Sequence, residues 1–454
     1  MTSAPAPPRL RQLADRLNTD FGFRLMRWLF GAALLVYAAV PIVNAFLPGM
    51  SIKDYELWYD TGQQVLRGEA IYPGPFRKFP FMYPPPCATF LAPLSLLGRA
   101  GMMVVLVLVN AVAWPACVLL SVRLATGKWT RQHLLLYAIP SAIVSVYAWS
   151  NFHLGQPSLL LLALLLGAFV ALQGRCHITA GALIAFAAAI KAFPVLAGFY
   201  LIYRRYWRAA GLLVMTLAFL LIVLPTPFRG FHQARADLQL WTQGMLLKYD
   251  DNGMAQRPGR SNSWRNQSIF GVANRLLRPA EYDFEFGPHT PVYTNIADLS
   301  FQAVNRIIAG AALLFGFAYI AVMPKQARRT VGTDSIEFAL LLLLILMFTP
   351  LAFGYLFAFL LFPFTVVVQR LLNAGSKRLL ICAGIAVLLL AASIPFQRPA
   401  QALGNVFFAT ALLFVALALE LAAMTRHEVP ALPSPKQNTP GGAEPAEAEQ
   451  HRHA

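Results

Sequence analysis

A chain of 454 residues would ordinarily divide into about two or three soluble domains, but 57% hydrophobic and 13% charged residues with a mean hydropathy of +0.56 exclude that class and describe one membrane-embedded unit. The formal charge of +17 raises the question of nucleic acid, yet Lys and Arg fall mainly in short gaps between apolar runs rather than on one soluble face. That spacing is the signature of membrane topology and gives no reason to expect a nucleic-acid partner.

The chain opens with a Pro- and Arg-containing segment, residues 1–25, that lacks the short apolar run and small-residue cleavage site of a signal peptide. It reads as a cytoplasmic N-terminal segment. Apolar runs able to cross about 30 Å of hydrocarbon, roughly 20 residues each, follow near 26–47, 100–122, 133–150, 157–173, 209–225, 302–323, 335–349, 353–369, 379–395 and 403–424. Residues 178–203 are flanked by Arg175 on one side and by Arg204, Arg205 and Arg208 on the other. The positive-inside rule puts both ends in the cytoplasm, so this stretch must go in and come back as a broken hairpin. Lys191 and Pro194 mark its bend, because proline interrupts a helix and frees backbone groups that need a polar setting.

The same rule places Arg24, Arg27, Arg123, Lys128, Arg131, Lys325, Arg328, Arg329, Lys377 and Arg378 on the cytoplasmic side. The expectation is an all-α polytopic membrane protein with about 12 crossings, spanning residues 26–425. It carries two long external loops, about 48–99 and 226–301, with interfacial helices; loops of that size are usually functional. Residues 426–454, rich in Pro, Ala and Glu, read as a disordered cytoplasmic tail. Cys87, Cys117, Cys176 and Cys382 are scattered and read as packing residues. Leucine-rich runs at 159–166 and 340–346 read as lipid-facing or packing helix. The eight histidines, among them His153, His232 and His289, have no metal-ligand spacing. No metal and no cofactor is called for.

In the first external loop, Asp54 precedes Tyr55, Trp58, Val65 and Leu66, which share one helical face and suit the membrane interface. A carboxylate held there can act as general base toward a sugar hydroxyl. The competing reading is a capping box over Ser51, Ile52, Lys53 and Asp54, in which the carboxylate only closes a helix end. Downstream, Tyr72, Arg77, Lys78 and the run Phe81-Met82-Tyr83-Pro84-Pro85-Pro86 make either an aromatic, basic rim for an anionic headgroup or a stiff re-entry into the second crossing. Asn151 and Gln156 fall in a short external turn before Pro157, where capping and substrate contact are both open. Asn266, Gln267 and Ser268 precede Ile269, Val272, Ala273 and Leu276, an amphipathic helix starting near Ser268. Its N-terminus, with Arg265 and Arg275, suits a phosphate or sugar; the tripeptide is equally a simple N-cap or a sequon match.

Taken together, Asp54-Tyr55-x3-Tyr59, Leu66-x-Gly68-x3-Tyr72, Phe81-x-Tyr83-Pro84-Pro85, Pro93-Leu94, Asn151-x3-Gly155-Gln156, Ala188 through Pro194 before Arg204-Arg205, and Asn266-Gln267-Ser268 resemble glycosyltransferase family 87. That family is of the GT-C type, similar to polyprenol-phosphate-mannose-dependent mannosyltransferases. The resemblance runs from about residue 50 to 370. It implies a GT-C glycosyltransferase fold and an external active site, with a polyprenyl-phosphate sugar donor, a lipid or glycan acceptor, membrane lipids as surroundings, and inversion at the sugar. Asp54 takes the position of the catalytic aspartate. Tyr72, Tyr83, Asn151, Gln156, Lys191, Asn266, Gln267, Ser268 and Tyr355 are the implied substrate-binding residues. Lys191 is the natural partner of the donor phosphate, since an ionisable group in an apolar hairpin is costly; snorkelling or pairing with a carboxylate is its alternative. One position departs from the pattern: Thr349-Pro350-Leu351-Ala352-Phe353-Gly354-Tyr355 aligns with a stretch ending in histidine, and tyrosine is not cationic near neutral pH. The resemblance also favours a bacterial inner membrane. Two rivals stand beside transfer, a lipid-linked sugar transporter or flippase and a non-catalytic envelope-assembly protein. Transporters place their sites near the midplane between repeats, whereas here the polar clusters other than Lys191 fall in external loops.

Overall fold

The computed structural model describes residues 15–47, 52–72, 81–247, 249–250, 253–254, 261–283 and 290–427. Arg77, Lys78, His289 and almost all of the expected tail lie outside these. Among the described residues the chain is helical apart from a two-residue antiparallel ladder pairing Tyr249 with Met254, so the expected all-α polytopic class holds. Eight helical stretches are long and apolar enough to cross a membrane: Asp20–Phe46, Gly98–Thr126, Leu135–Leu154, Trp207–Arg229, Phe301–Val322, Val331–Phe348, Gly354–Asn373 and Asn405–Thr425. Ser158–Gln173, His177–Ile190 and Phe193–Tyr203 are shorter apolar helices, and Lys377–Ala391 is a further 15-residue helix.

We label α1 Asp20–Phe46, α2 Asp54–Leu66, α3 Pro85–Ser95, α4 Gly98–Thr126, α5 Leu135–Leu154, α6 Ser158–Gln173, α7 His177–Ile190 and α8 Ala197–Tyr203. Then come α9 Trp207–Ala218, α10 Phe231–Trp241, α11 Ile269–Leu277, α12 Phe301–Val322, α13 Val331–Phe348, α14 Leu361–Ala374, α15 Lys377–Ala391 and α16 Asn405–His427. α1 begins at Asp20, six residues before the expected run, because Thr19 caps it by accepting from the Gly22 N–H. Its apolar window is only 6% buried, against 72% for α13. α1 is therefore peripheral, with Trp28, Leu29 and Leu35 facing outward, and α13 is central. The 159–166 and 340–346 leucines resolve into packing: Leu161, Leu162, Leu165, Leu166, Leu340, Leu342, Leu343 and Leu346 have no exposed surface.

The basic residues gather at one end of this bundle. Arg131 pairs with Asp20, Arg123 donates to Gln173 at the foot of α6, and the Ser335 hydroxyl near the start of α13 donates to the Leu124 carbonyl. Arg204 pairs with the buried Glu337 of α13, and Arg329 with Asp334. The hairpin closes at this same end, where the rings of His177 and Tyr206 lie 5.2 Å apart. From there α7 runs 14 residues into the bundle to Lys191, whose backbone is extended at φ −148° and ψ 127°. A 3₁₀ turn, Phe193–Leu196, and α8 bring the chain back. The break falls where Pro194 cannot join the α7 hydrogen-bond ladder. Lys191 is thus presented at the end opposite the basic cluster.

Candidate active site

α2 starts at Asp54 itself, with Lys53 as the residue before it and no side-chain cap. A capping box would need Ser51, which lies outside the described residues, and would put Asp54 at the third helical position; Asp54 occupies the first. Lys53 sits at φ +55° and ψ −132°, a sparsely populated region for a side-chain-bearing residue, and such strain concentrates at functional sites. The aromatic face of α2 also differs from expectation. Tyr55, Trp58 and Val65 are buried against protein instead of lying in lipid. The Tyr55 hydroxyl donates to the Phe152 carbonyl at 2.8 Å and the Trp58 indole N–H to the Gly155 carbonyl at 2.7 Å. The acceptors belong to the last turn of α5 and to the residue that ends it, so α2 is bolted onto the segment that carries Gln156.

That turn is itself tightly made. Asn151 lies in the last turn of α5, not in the loop after it, and Gly155 ends the helix at φ +74°. The Asn151 side chain accepts from the Ser158 N–H and donates to the carbonyls of Tyr147 and Tyr355. Gln156 is buried. Its Nε2 donates to Asp54 Oδ2 and its Oε1 accepts from the Tyr83 hydroxyl at 2.9 Å. An amide donating on one side and accepting on the other has only one consistent orientation. The Tyr83 carbonyl in turn accepts from the Tyr72 hydroxyl. Burial pushes the Tyr83 phenol well above its ordinary pKa, with Tyr355 and Asp54 adding to the shift, so it remains a donor.

Lys191 reaches this cluster from the hairpin tip. Its ammonium stands 4.9 Å from the Tyr355 ring centroid, 5.4 Å from that of Tyr83 and 5.9 Å from that of Phe193. These separations are within the range in which ring quadrupoles attract a cation, and Lys191 is also within electrostatic reach of Asp54. One carboxylate, one ammonium, two phenols and two amides from five separate chain segments therefore meet at one end of the bundle. Such an arrangement can hold an anionic leaving group and take up a proton a few ångströms away.

Asn266, Gln267 and Ser268 are placed differently. Ser268 caps α11 by accepting from the Gly271 N–H. Asn266 donates to the Ser261 and Pro350 carbonyls and accepts from the Ala352 N–H. Gln267 donates to the Trp264 and Gln401 carbonyls. Arg275 is fully buried and donates to carbonyls of Ala402, Ser263, Asn266 and Gln401; burial pushes its pKa down, to about 9. The donors of these side chains go to main-chain carbonyls, and Asn266, Ser268 and the Gln267 N–H clamp the 350–355 segment that delivers Tyr355; Gln267 Oε1 is buried without a hydrogen-bond partner among the described residues.

Three contributors escaped the sequence reading. Asn110, a lone amide in α4, donates to the Gln156 carbonyl at 3.1 Å; an amide in a hydrophobic run was the available signal. Tyr55 and Trp58 were visible as a helical face but not as hydrogen-bond donors to the turn.

The profile of glycosyltransferase family 87 matches residues 81–350. Among curated proteins, none matches the sequence. The matched stretch holds Tyr83, Asn151, Gln156, Lys191 and the 266–268 tripeptide. Asp54, Tyr72 and Tyr355 lie outside it, each joined to it by a hydrogen bond, through Gln156, Tyr83 and Asn151 respectively. With more than half its length matched, the chain belongs to glycosyltransferase family 87 and is a membrane glycosyltransferase.

Proposed function

We propose that the protein transfers a hexose, mannose or a sugar like it, from a polyprenyl-phosphate donor to a hydroxyl of a lipid or glycan acceptor, with inversion, on the external face of a bacterial inner membrane. In this reading residues 26–425 form one GT-C domain of about 12 crossings, the basic end faces the cytoplasm, and the Asp54 cluster opens outside. The observation that carries the reading is the Asp54 carboxylate held by Gln156, which also accepts from Tyr83, whose ring faces the Lys191 ammonium.

Asp54 takes the proton of the acceptor hydroxyl as its oxygen attacks the anomeric carbon. The bond from that carbon to the phosphate oxygen breaks, its electron pair stays on the phosphate, and Lys191 balances the charge. Attack and departure occur on opposite faces of the sugar, as an inverting displacement demands. The Tyr355 position supports the same scheme without an imidazole, since its ring offers Lys191 a face and its carbonyl anchors Asn151. Asn266, Gln267, Ser268 and Arg275 act by holding the Tyr355 segment in place.

The test is turnover of purified protein with labelled polyprenyl-phosphate sugars and membrane lipid extract. Asp54→Asn should lower transfer by about a thousandfold, the scale of general-base catalysis, with membrane insertion intact. Near-normal turnover by that variant would remove Asp54 from the mechanism. Movement of labelled donor across vesicles without acceptor modification would favour transport.

A further inference from the structure

α9 continues through a π turn at Phe219–Val223 into a single helical turn, Thr226–Arg229, which packs against α2. The Arg229 side chain is only 1% exposed, and its ion-pair partner Asp237 is 2% exposed. The pair uses only the inner edge of the guanidinium: Nε donates to Asp237 Oδ2 at 2.8 Å, while Gln233 donates to Asp237 Oδ1 at 2.9 Å. Both terminal nitrogens of Arg229, Nη1 and Nη2, are buried with no hydrogen-bond partner. A buried charged donor left unsatisfied is costly, so the fork calls for an acceptor that the described residues do not supply. A planar pair of N–H donors matches two oxygens of one phosphate.

The surroundings say where that phosphate comes from. Phe228 and Phe231, on either side of Arg229, are 44% and 56% exposed, and Ile222 and Val223 one turn earlier are each about half exposed. This apolar strip is continuous with the outer surface of the Trp207–Arg229 span, so an anion arriving at Arg229 comes from lipid. Tyr72 feels both Arg229 and Asp237 and donates to the Tyr83 carbonyl, which ties the position to the Asp54 network through one residue.

We infer that Arg229 anchors a second phosphate site, distinct from Lys191, that takes the phosphate of a membrane lipid with its acyl or prenyl chain along Phe228 and Phe231. It rests on the proposed function only in treating the acceptor as lipid-borne; the site would present that acceptor beside α2, or hold a neighbouring phospholipid there. Native mass spectrometry of the full-length protein in detergent tests it, with short-chain phosphatidylglycerol, short-chain polyprenyl phosphate and inorganic phosphate added separately and then in competition. Wild type should retain one lipid phosphate at this site in addition to any held at Lys191, and Arg229→Gln should bind that one at least about tenfold more weakly, the loss of one bidentate charge-assisted contact. Because Arg229→Gln strands the Asp237 carboxylate, the double variant with Asp237→Asn removes both buried charges and should show the same loss. Preferred retention of phosphatidylglycerol identifies a glycerophospholipid, and displacement by polyprenyl phosphate identifies the prenyl carrier. Undiminished lipid binding by either Arg229 variant, or inorganic phosphate binding as tightly as lipid, overturns the site. Retention is read by mass and needs no turnover, so a failure of the catalytic reading leaves this result unaffected.

Discussion

Gln156 bears more of the site's order than any other uncharged residue. It is buried, its backbone carbonyl is held by Asn110, and its two amide atoms join Tyr83 to Asp54. The two bonds running from the Tyr83 hydroxyl through the Gln156 amide polarise each other and end on the carboxylate, while Tyr72 braces the Tyr83 main chain through its carbonyl. Replacing Gln156 by Leu keeps the volume and removes that end point. Transfer should fall about a hundredfold through kcat, as expected when a reacting group loses its orientation by an ångström or so, with donor KM little changed. A rise in KM at constant kcat would instead make Gln156 a substrate-binding group. Its side-chain partners Asp54 and Tyr83 were legible in sequence as polar residues in an external loop; that they share one hydrogen-bond chain was not, because the contact between Gln156 and Asp54 joins residues 102 positions apart and spacing carries no information at that range. Tyr355 illustrates the reverse case. Its identity suggested a lost imidazole; the structure shows it presenting a ring face to Lys191 and a main-chain carbonyl to Asn151, and the carbonyl is present in every residue.

At the scale of elements, the site is assembled by seating α2 on the α5–α6 turn. Gly155 makes this possible in two ways: it adopts φ +74°, and a Cβ there would stand 2.9 Å from the Tyr55 ring. Gly155→Ala should therefore strain the turn and push Tyr55 outward, lowering stability by about 1–3 kcal/mol and reducing transfer through displacement of Asp54. A thermal unfolding scan and a rate measurement on the same preparation check it; an unchanged melting temperature and rate would mean that α2 docks without this contact. Helix periodicity made α2 visible and its apolar face plausible, but an amphipathic face fits lipid and protein equally well, so the sequence could not say which of the two Tyr55 and Trp58 meet. The hairpin was easier to read. Charge at both ends and Pro194 at the break dictate entry and return by physics local to the segment, and the contact of His177 with Tyr206 agrees with it. What the local pattern could not supply was the anchoring of its return by Arg204 on Glu337, a pair separated by more than a hundred residues.

For the molecule as a whole, the decisive asymmetry is that the Arg123, Arg131, Arg204 and Arg329 group lies at one end of the bundle, away from the Asp54 cluster. The positive-inside rule turns this into an orientation, and the native cysteines can test it without engineering. Cys87 and Cys117 are buried and Cys382 is partly buried on α15, whereas Cys176 is exposed. Cys176, expected from sequence to be a packing residue, sits in the turn between α6 and α7, beside Arg175 and at the end where Arg204 and Arg329 gather. Exposure decides reactivity toward a bulky maleimide more strongly than residue type does. A membrane-impermeant maleimide applied to intact cells should leave the protein unlabelled, and the same reagent applied after permeabilisation should modify one site, lost in Cys176→Ser. Labelling of Cys176 in intact cells would invert the molecule, put the Asp54 carboxylate on the cytoplasmic side and confront it with a different set of sugar donors.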